Sequence, residues 1–224
     1  MDKVPSSTRN NSISVRSFLK AAASATTLGA AIVSYMNEEQ TKNIEDTLQK
    51  HQEQIDMLEE IVAGELHVDE SKYLEELKAA LQKAKDEANE EKRELYASYL
   101  TACCHPENKE KSNRRIFLDL VERVDFNGIR ILKELKTYFS GRKSYDYFIP
   151  LFNDELSKDD IIILLDYLTS YRLIEVCTQE EIERFTARLG RVRTRRPCNL
   201  SFYKRTALGD ALYQFISKGI IYNG

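Results

Sequence analysis

Through the first half of the chain, apolar side chains return at alternating four- and three-residue intervals, and that spacing leaves few folds open. Ile44, Leu48, Ile55, Leu58 and Val62, with His51 between them, hold one heptad register. Ala63 and Gly64 break it, Ser71 is a candidate N-cap, and a second register follows at Leu74, Leu77, Leu81, Ala84, Ala88 and Leu95. Two amphipathic arms with a short breaker predict a helical hairpin or helices paired in an oligomer. Each arm is only about three heptads long, too short for stability alone, so packing against a partner is implied. Ile44, Leu48, Ile55, Leu58, Leu74, Leu77 and Leu81 form the expected oligomer seam, and a homo-oligomer is the expected state. His51 lies on that seam, where a polar residue specifies register at a cost in stability.

The 224 residues carry a formal charge of only −3, but the charge is unevenly placed. Residues 38–94 hold 18 acids against 8 bases, whereas residues 181–218 hold 3 acids against 9 bases. Residues 184–205 contain eight Lys or Arg and no Asp or Glu. The acidic arms repel nucleic acid; the basic segment is the one charge feature that attracts it.

Residues 1–16 are polar and rich in Ser, Thr and Asn, and a disordered tail is expected there. Residues 17–37 read as an Ala-rich apolar helix, uncharged from 21 onward, with Arg9, Arg16 and Lys20 before it and Glu38 and Glu39 after it. A self-packing helix, membrane association or insertion, and export are its three readings. Its dilution by Ser24, Thr26, Thr27 and Gly29 falls short of the about twenty mainly apolar residues a span needs. Residues 14–20 look like a twin-arginine export motif with Val15 in place of one arginine, but no small-x-small cleavage site follows. The cysteines at 103, 104, 177 and 198 have no zinc-type spacing, and a reducing cytoplasm is the expected compartment, with peripheral or inserted placement at an inner membrane as the variant. Cys103, Cys104 and His105 are either a soft-metal or redox group or small buried residues at a helix end.

Residues 38–105 are thus the acidic helical arms, residues 106–113 a polar linker opened by Pro106, and residues 114–224 a separate domain. In that domain Ile116, Phe117, Leu120, Val121 and Val124 predict one helix, and Phe126, Ile129, Leu132, Leu135 and Phe139 a second, begun by Asp125 or Asn127. Ser157 and Asp160 have the form of a capping box opening a helix that buries Ile161, Leu164, Leu165 and Leu168. Residues 173–176 and 199–204 read as strands, and Thr206 caps a last helix bearing Leu208, Leu212, Phe215 and Ile216. Helices, strand, wing, strand, helix is the order of a winged-helix domain with a small β-wing, whose third helix is the one usually offered to a DNA groove. Here that helix turns Asp159, Asp160, Asp166 and Tyr167 outward, which argues against groove reading. Arg188, Arg191, Arg193, Arg195, Arg196, Lys204 and Arg205 are the expected binding residues of the wing, for nucleic acid or for an acidic protein surface; a solvated loop is the third reading.

Residues 94–102 (ELYASYLTA), residues 117–132 (FLDLVERVDFNGIRIL) and Thr206-Ala207-Leu208-Gly209 together give the chain a resemblance to the Abi-alpha group of bacterial abortive-infection proteins over residues 70–217. The resemblance implies phage defence and brings no catalytic residues with it. No Gly-rich phosphate loop, Gly-x-Ser-x-Gly or His-Glu-x-x-His motif occurs, and no cofactor is expected. The sequence therefore points to a non-enzymatic helical effector or adaptor that oligomerises through its arms and binds a protein partner or phage trigger through its C-terminal domain, with a membrane as a further partner if residues 17–37 insert. A winged-helix DNA-binding transcriptional regulator is the alternative.

Overall fold

The computed structural model describes residues 12–24 (side chains to residue 19), 36–108, 113–136, 143–152, 155–178, 180–183 and 201–220. The chain is mainly helical, with small antiparallel sheets. It divides into two compact units, one made of Met1–Arg123 with Phe215–Gly224, the other of Val124–Gln214. The expected boundary at residues 106–113 is therefore displaced. Pro106–Asn108 forms a 3-10 turn, and the buried Asn108 amide donates to the Ala102 carbonyl at 2.9 Å. Polar residues that find partners in this way make an ordered turn, and the helix that follows stays with the first unit.

In the first unit, strand β1 (Ser12–Ser14) pairs antiparallel with β2 (His67–Asp69), and helix α1 (Val15–Ser24) follows β1 directly. Residues 12–16 are thus ordered, against the expectation of a tail ending at residue 16. Burial explains it: Val15 and Leu19 enter the core, Phe18 lies edge-on to Tyr73 at 5.5 Å, and Arg16 pairs with Asp56 at 2.7 Å and Glu59 at 3.2 Å. Helix α2 (Glu38–Val62) opens on a capping box between Asn37 and Gln40 and ends with Ala63 in the left-handed region at φ 51°. Helix α3 (Glu70–Ala84) is capped by Asp69, not Ser71, whose hydroxyl instead donates to the Asp69 carboxylate at 2.8 Å. A break then admits α4 (Glu90–Cys104), capped by Asn89, and α5 (Arg114–Arg123) closes the set. The second heptad register is accordingly two helices rather than one arm.

The seam residues Ile44, Ile55, Leu58, Leu77 and Leu81 are buried within this unit, Leu48 and Leu74 half-buried, as α2 and α3 pack on α4. Their apolar surface, expected to await a second copy, is covered by the chain itself. Two amphipathic helices, α2 and α3, satisfy the same spacing intramolecularly once a third helix lies against both.

That third helix is α4, and every residue from Leu95 to Cys104 in it is buried. Phe215 returns from the far end of the chain to pack its ring against Tyr99 at 5.7 Å and Phe117 at 4.9 Å. Gly219 permits the following turn to lie on α4, since a Cβ there would stand 1.8 Å from the Ser98 carbonyl oxygen. A helix buried on all sides must also find partners for its polar side chains. Thr101 donates to Gln54 Oε1 at 3.0 Å, within reach of the Ala97 carbonyl, and Gln54 Nε2 donates to Ser98 Oγ at 3.1 Å. With the single Thr101 proton so placed, His51 Nδ1–H donates to Thr101 Oγ1 at 2.9 Å and His51 Nε2 accepts from the Tyr73 hydroxyl at 2.7 Å. The chain of bonds closes with His51 neutral.

The second unit begins with α6 (Phe126–Glu134), capped by Asp125, whose carboxylate accepts from Gly128 N at 2.7 Å. Strand β3 (Lys143–Ser144), the short helix α7 (Tyr145–Phe148), helix α8 (Lys158–Ser170), strands β4 (Ile174–Val176) and β5 (Phe202–Arg205), and helix α9 (Ala207–Ile216) follow. The three strands are antiparallel in the order β3-β5-β4. Phe148, Phe152, Ile129, Leu132, Leu165, Leu168 and Leu212 fill the core beneath them. The Thr-x-Leu-Gly element gains a structural reason. Thr206 Oγ1 accepts from Gly209 N at 3.0 Å, so Thr206 caps α9, and its hydroxyl reaches the Arg172 carbonyl at 2.6 Å. Gly209 meets the backbone of the preceding turn, where a Cβ would stand 1.9 Å from the Leu173 carbonyl oxygen.

Two outcomes are expected. Burial lowers the His51 pKa from its ordinary value of 6.5 to about 3. The unfolded chain therefore takes up a proton that the folded chain refuses, so stability is full above 6.5 and is lost as pH falls toward 3, by up to about 1.4 kcal/mol per pH unit. Urea titrations at about pH 7 and pH 4.5 should show a larger loss for the native protein than for His51→Gln, which starts less stable; equal losses would contradict this. Gly209→Ala must displace backbone, and calorimetry is expected to show a destabilisation of about 1–3 kcal/mol.

Candidate interaction surface

Helix α8 is the element with the most definite start and stop in the second unit. Ser157 Oγ accepts from Asp160 N at 3.1 Å, and the Asp160 carboxylate accepts from the Ser157 hydroxyl at 2.6 Å and from Ser157 N at 3.0 Å; the hydroxyl bond first and the backbone bond second hold the Asp160 pKa below its ordinary value. At the other end Arg172 adopts φ 56°, and Leu173 N donates to Leu168 O at 3.0 Å, which closes the last turn. Ile161, Leu165 and Leu168 form the buried stripe expected from the sequence, with Leu164 half-buried beside it.

The opposite face is where α8 departs from an ordinary surface helix. Ile163 is 65% exposed, Ile162 43% and Tyr167 41%, within two turns of one another. Tyr171 lies edge-on to Tyr167 at 4.7 Å, with the two hydroxyls 3.2 Å apart. Asp159 and Asp166 are exposed at either end of the isoleucine pair. Single exposed isoleucines are common, but apolar residues grouped on one face and bounded by charge form the pattern of a contact surface. The outward aspartates are legible in the sequence; Ile162 and Ile163 belong to no motif, and their spacing outside the 161-165-168 stripe is the one signal of their exposure.

The basic wing fares differently. Arg188, Arg191, Arg193, Arg195 and Arg196 lie outside the described residues, as does most of the uncharged run at residues 25–35. Of the two wing residues that are described, Lys204 pairs with Glu181 at 2.8 Å and Glu175 at 2.9 Å, and these partners raise its pKa. Arg205 is 6% exposed, donates to the Leu132 carbonyl at 2.9 Å, pairs with Asp210 at 2.6 Å and lies over the Tyr213 ring at 4.6 Å. It ties α6, β5 and α9 together and is a core residue rather than a wing contact, which corrects its expected role.

The remaining candidates are structural in their surroundings. Cys103 and Cys104 are buried at the end of α4; burial pushes the Cys103 thiol up to about 12 and the Cys104 thiol well above its ordinary range, so neither is a thiolate. Among the described residues no three His, Cys, Asp or Glu side chains are grouped as a metal would need, and no helix is long and apolar enough to cross a membrane. The chain matches no family model, and no curated protein or solved structure is detectably similar to it.

Proposed function

We propose that this chain is a non-enzymatic helical adaptor or effector of bacterial phage defence that binds a protein partner through its second unit. The outward face of α8 carries the reading. Residues 126–216 run helix, strand, helix, helix, strand, strand, helix with sheet order β3-β5-β4, which favours a winged-helix reading with α8 as the helix such a fold presents. A DNA-reading helix needs cations for phosphate; α8 offers isoleucines, tyrosine and three exposed aspartates against the single cation Lys158. Apolar and aromatic anchors within a polar rim are the composition of a protein interface. Phage defence itself is supported by the Abi-alpha resemblance of residues 94–102, 117–132 and 206–209. The seam residues of α2 and α3 are already covered, so partner binding is assigned to the second unit rather than to a coiled coil.

The DNA-binding alternative is separated by its salt dependence. A basic wing gripping six or more phosphates loses roughly a thousandfold or more in affinity between about 50 and 200 mM salt. In a gel shift with mixed-sequence duplex DNA, no such steep, specific complex is expected. In the same host background, cells expressing the chain should plate at least one phage of a broad panel poorly, and Ile163→Asp should restore plating without lowering the melting temperature. Full plating by every phage, together with a salt-steep DNA complex, would replace this reading with the regulator.

A further inference from the structure

We propose that the partner of α8 is a helical segment of another protein that carries two basic residues seven positions apart, bounding a pair of apolar residues. This rests on the protein-binding reading above and specifies its chemistry. Apart from Asp160, the exposed side chains lie on two adjacent i, i+4 rows, one running Asp159, Ile163, Tyr167 and the other Lys158, Ile162, Asp166, Ser170. Such rows form the ridges that a second helix fits between, which makes a helix the natural occupant of a convex, two-turn face. Asp159 and Asp166 are seven residues apart, about 10.5 Å along the axis, and stand at the two ends of the isoleucine pair. Cations on the same face at the same separation meet both.

Other occupants fail on charge. A second copy packed antiparallel about the midpoint of Ile162 and Ile163 would set isoleucine on isoleucine, but it would also set Asp159 against Asp166 twice, and such like-charge contacts select against self-pairing. Phosphates of nucleic acid or of an anionic membrane would meet the same two carboxylates. The carboxylate of Asp160 is engaged by Ser157 and takes no part. Lys158, the one cation of α8, stands on the second row one turn before Ile162, just outside the stretch that runs from Asp159 to Asp166.

The test uses the full chain and two fluorescent 18-residue Ala-based peptides, each with a Leu pair bounded by Lys at i and i+7, or by Glu at the same places. Fluorescence anisotropy is expected to give about tenfold or tighter binding of the Lys peptide over its Glu twin, a preference of about 1.4 kcal/mol. Ile163→Asp should weaken the Lys peptide about tenfold or more, and Asp159→Asn with Asp166→Asn should bring the twins within about threefold of each other. Equal Lys-peptide binding by Ile163→Asp would show mere attraction to the acidic first unit and overturn the proposal, as would binding of neither peptide. A dimer in a sizing run that Ile163→Asp abolishes would make the occupant a second copy. Should Ile163→Asp still restore plating while the peptides fail to discriminate, this partner chemistry falls and the adaptor reading stands; discrimination without any effect on plating would give the reverse.

Discussion

Complete burial of residues 95–104, the last ten residues of α4, is the constraint from which the first unit follows. A helix with ten consecutive buried residues, Ser98 and Thr101 among them, cannot rely on solvent for any polar group. It needs neighbours on every side, and at least one must bring hydrogen-bonding side chains in the right register. Helix α2 does so with Gln54 and His51, α3 adds Tyr73, and α5, Phe215 and the turn at Gly219 close the remaining sides. The polar chain from Tyr73 to Ser98 is directional, so a one-turn slip of α2 along α4 would strand several donors at once. Hydrophobic burial supplies the driving force here, and the network chooses among the alignments that burial alone would tolerate.

What could be read from the sequence depended on whether the signal was local. The capping box of Ser157 and Asp160, the cap at Asp125 and the stripe on α8 are encoded within a few residues and were legible. The apolar positions of α2 and α3 were legible as well, but a heptad says that a surface will be covered and not by what. Helix α4 hid its nature because Ser98, Tyr99, Thr101 and Cys103 dilute its hydrophobicity, and only the partners in α2 and α3 make those residues acceptable inside. His51 sits on the expected seam, yet its role needs three helices, and its own partners Tyr73 and Thr101 lie far from it in sequence. The polar residues after Pro106 looked like a linker because a buried Asn108 cannot be told from a solvated one without its carbonyl partner.

In the second unit the same locality applies in reverse. Charge composition marks residues 184–205 as the expected binding segment, since eight cations stand out there. Burial reassigns one of them, Arg205, to the core, and the cross-strand Glu175, together with Glu181, pairs with another, Lys204. The residues that stand exposed without a packing reason, Ile162 and Ile163, are chemically plain and attract no attention in a motif search. Exposed apolar groups are informative only against a known buried face, and that face is a property of the fold.

The discontinuity of the first unit bears on how the protein is made. Its core lacks Phe215 and the Gly219 turn until residues 215–219 have been synthesised, because the whole of Val124–Gln214 is inserted between the two parts of its sequence. A ribosome delivers the helices of residues 38–123 first, but they cannot reach their final packing before residues 215–219 have emerged. The inserted unit, by contrast, has all its residues in one stretch. Vectorial synthesis therefore reverses the order suggested by reading from the N-terminus: the later-emerging unit can finish folding first, and a prematurely ended chain would leave the face of α4 open.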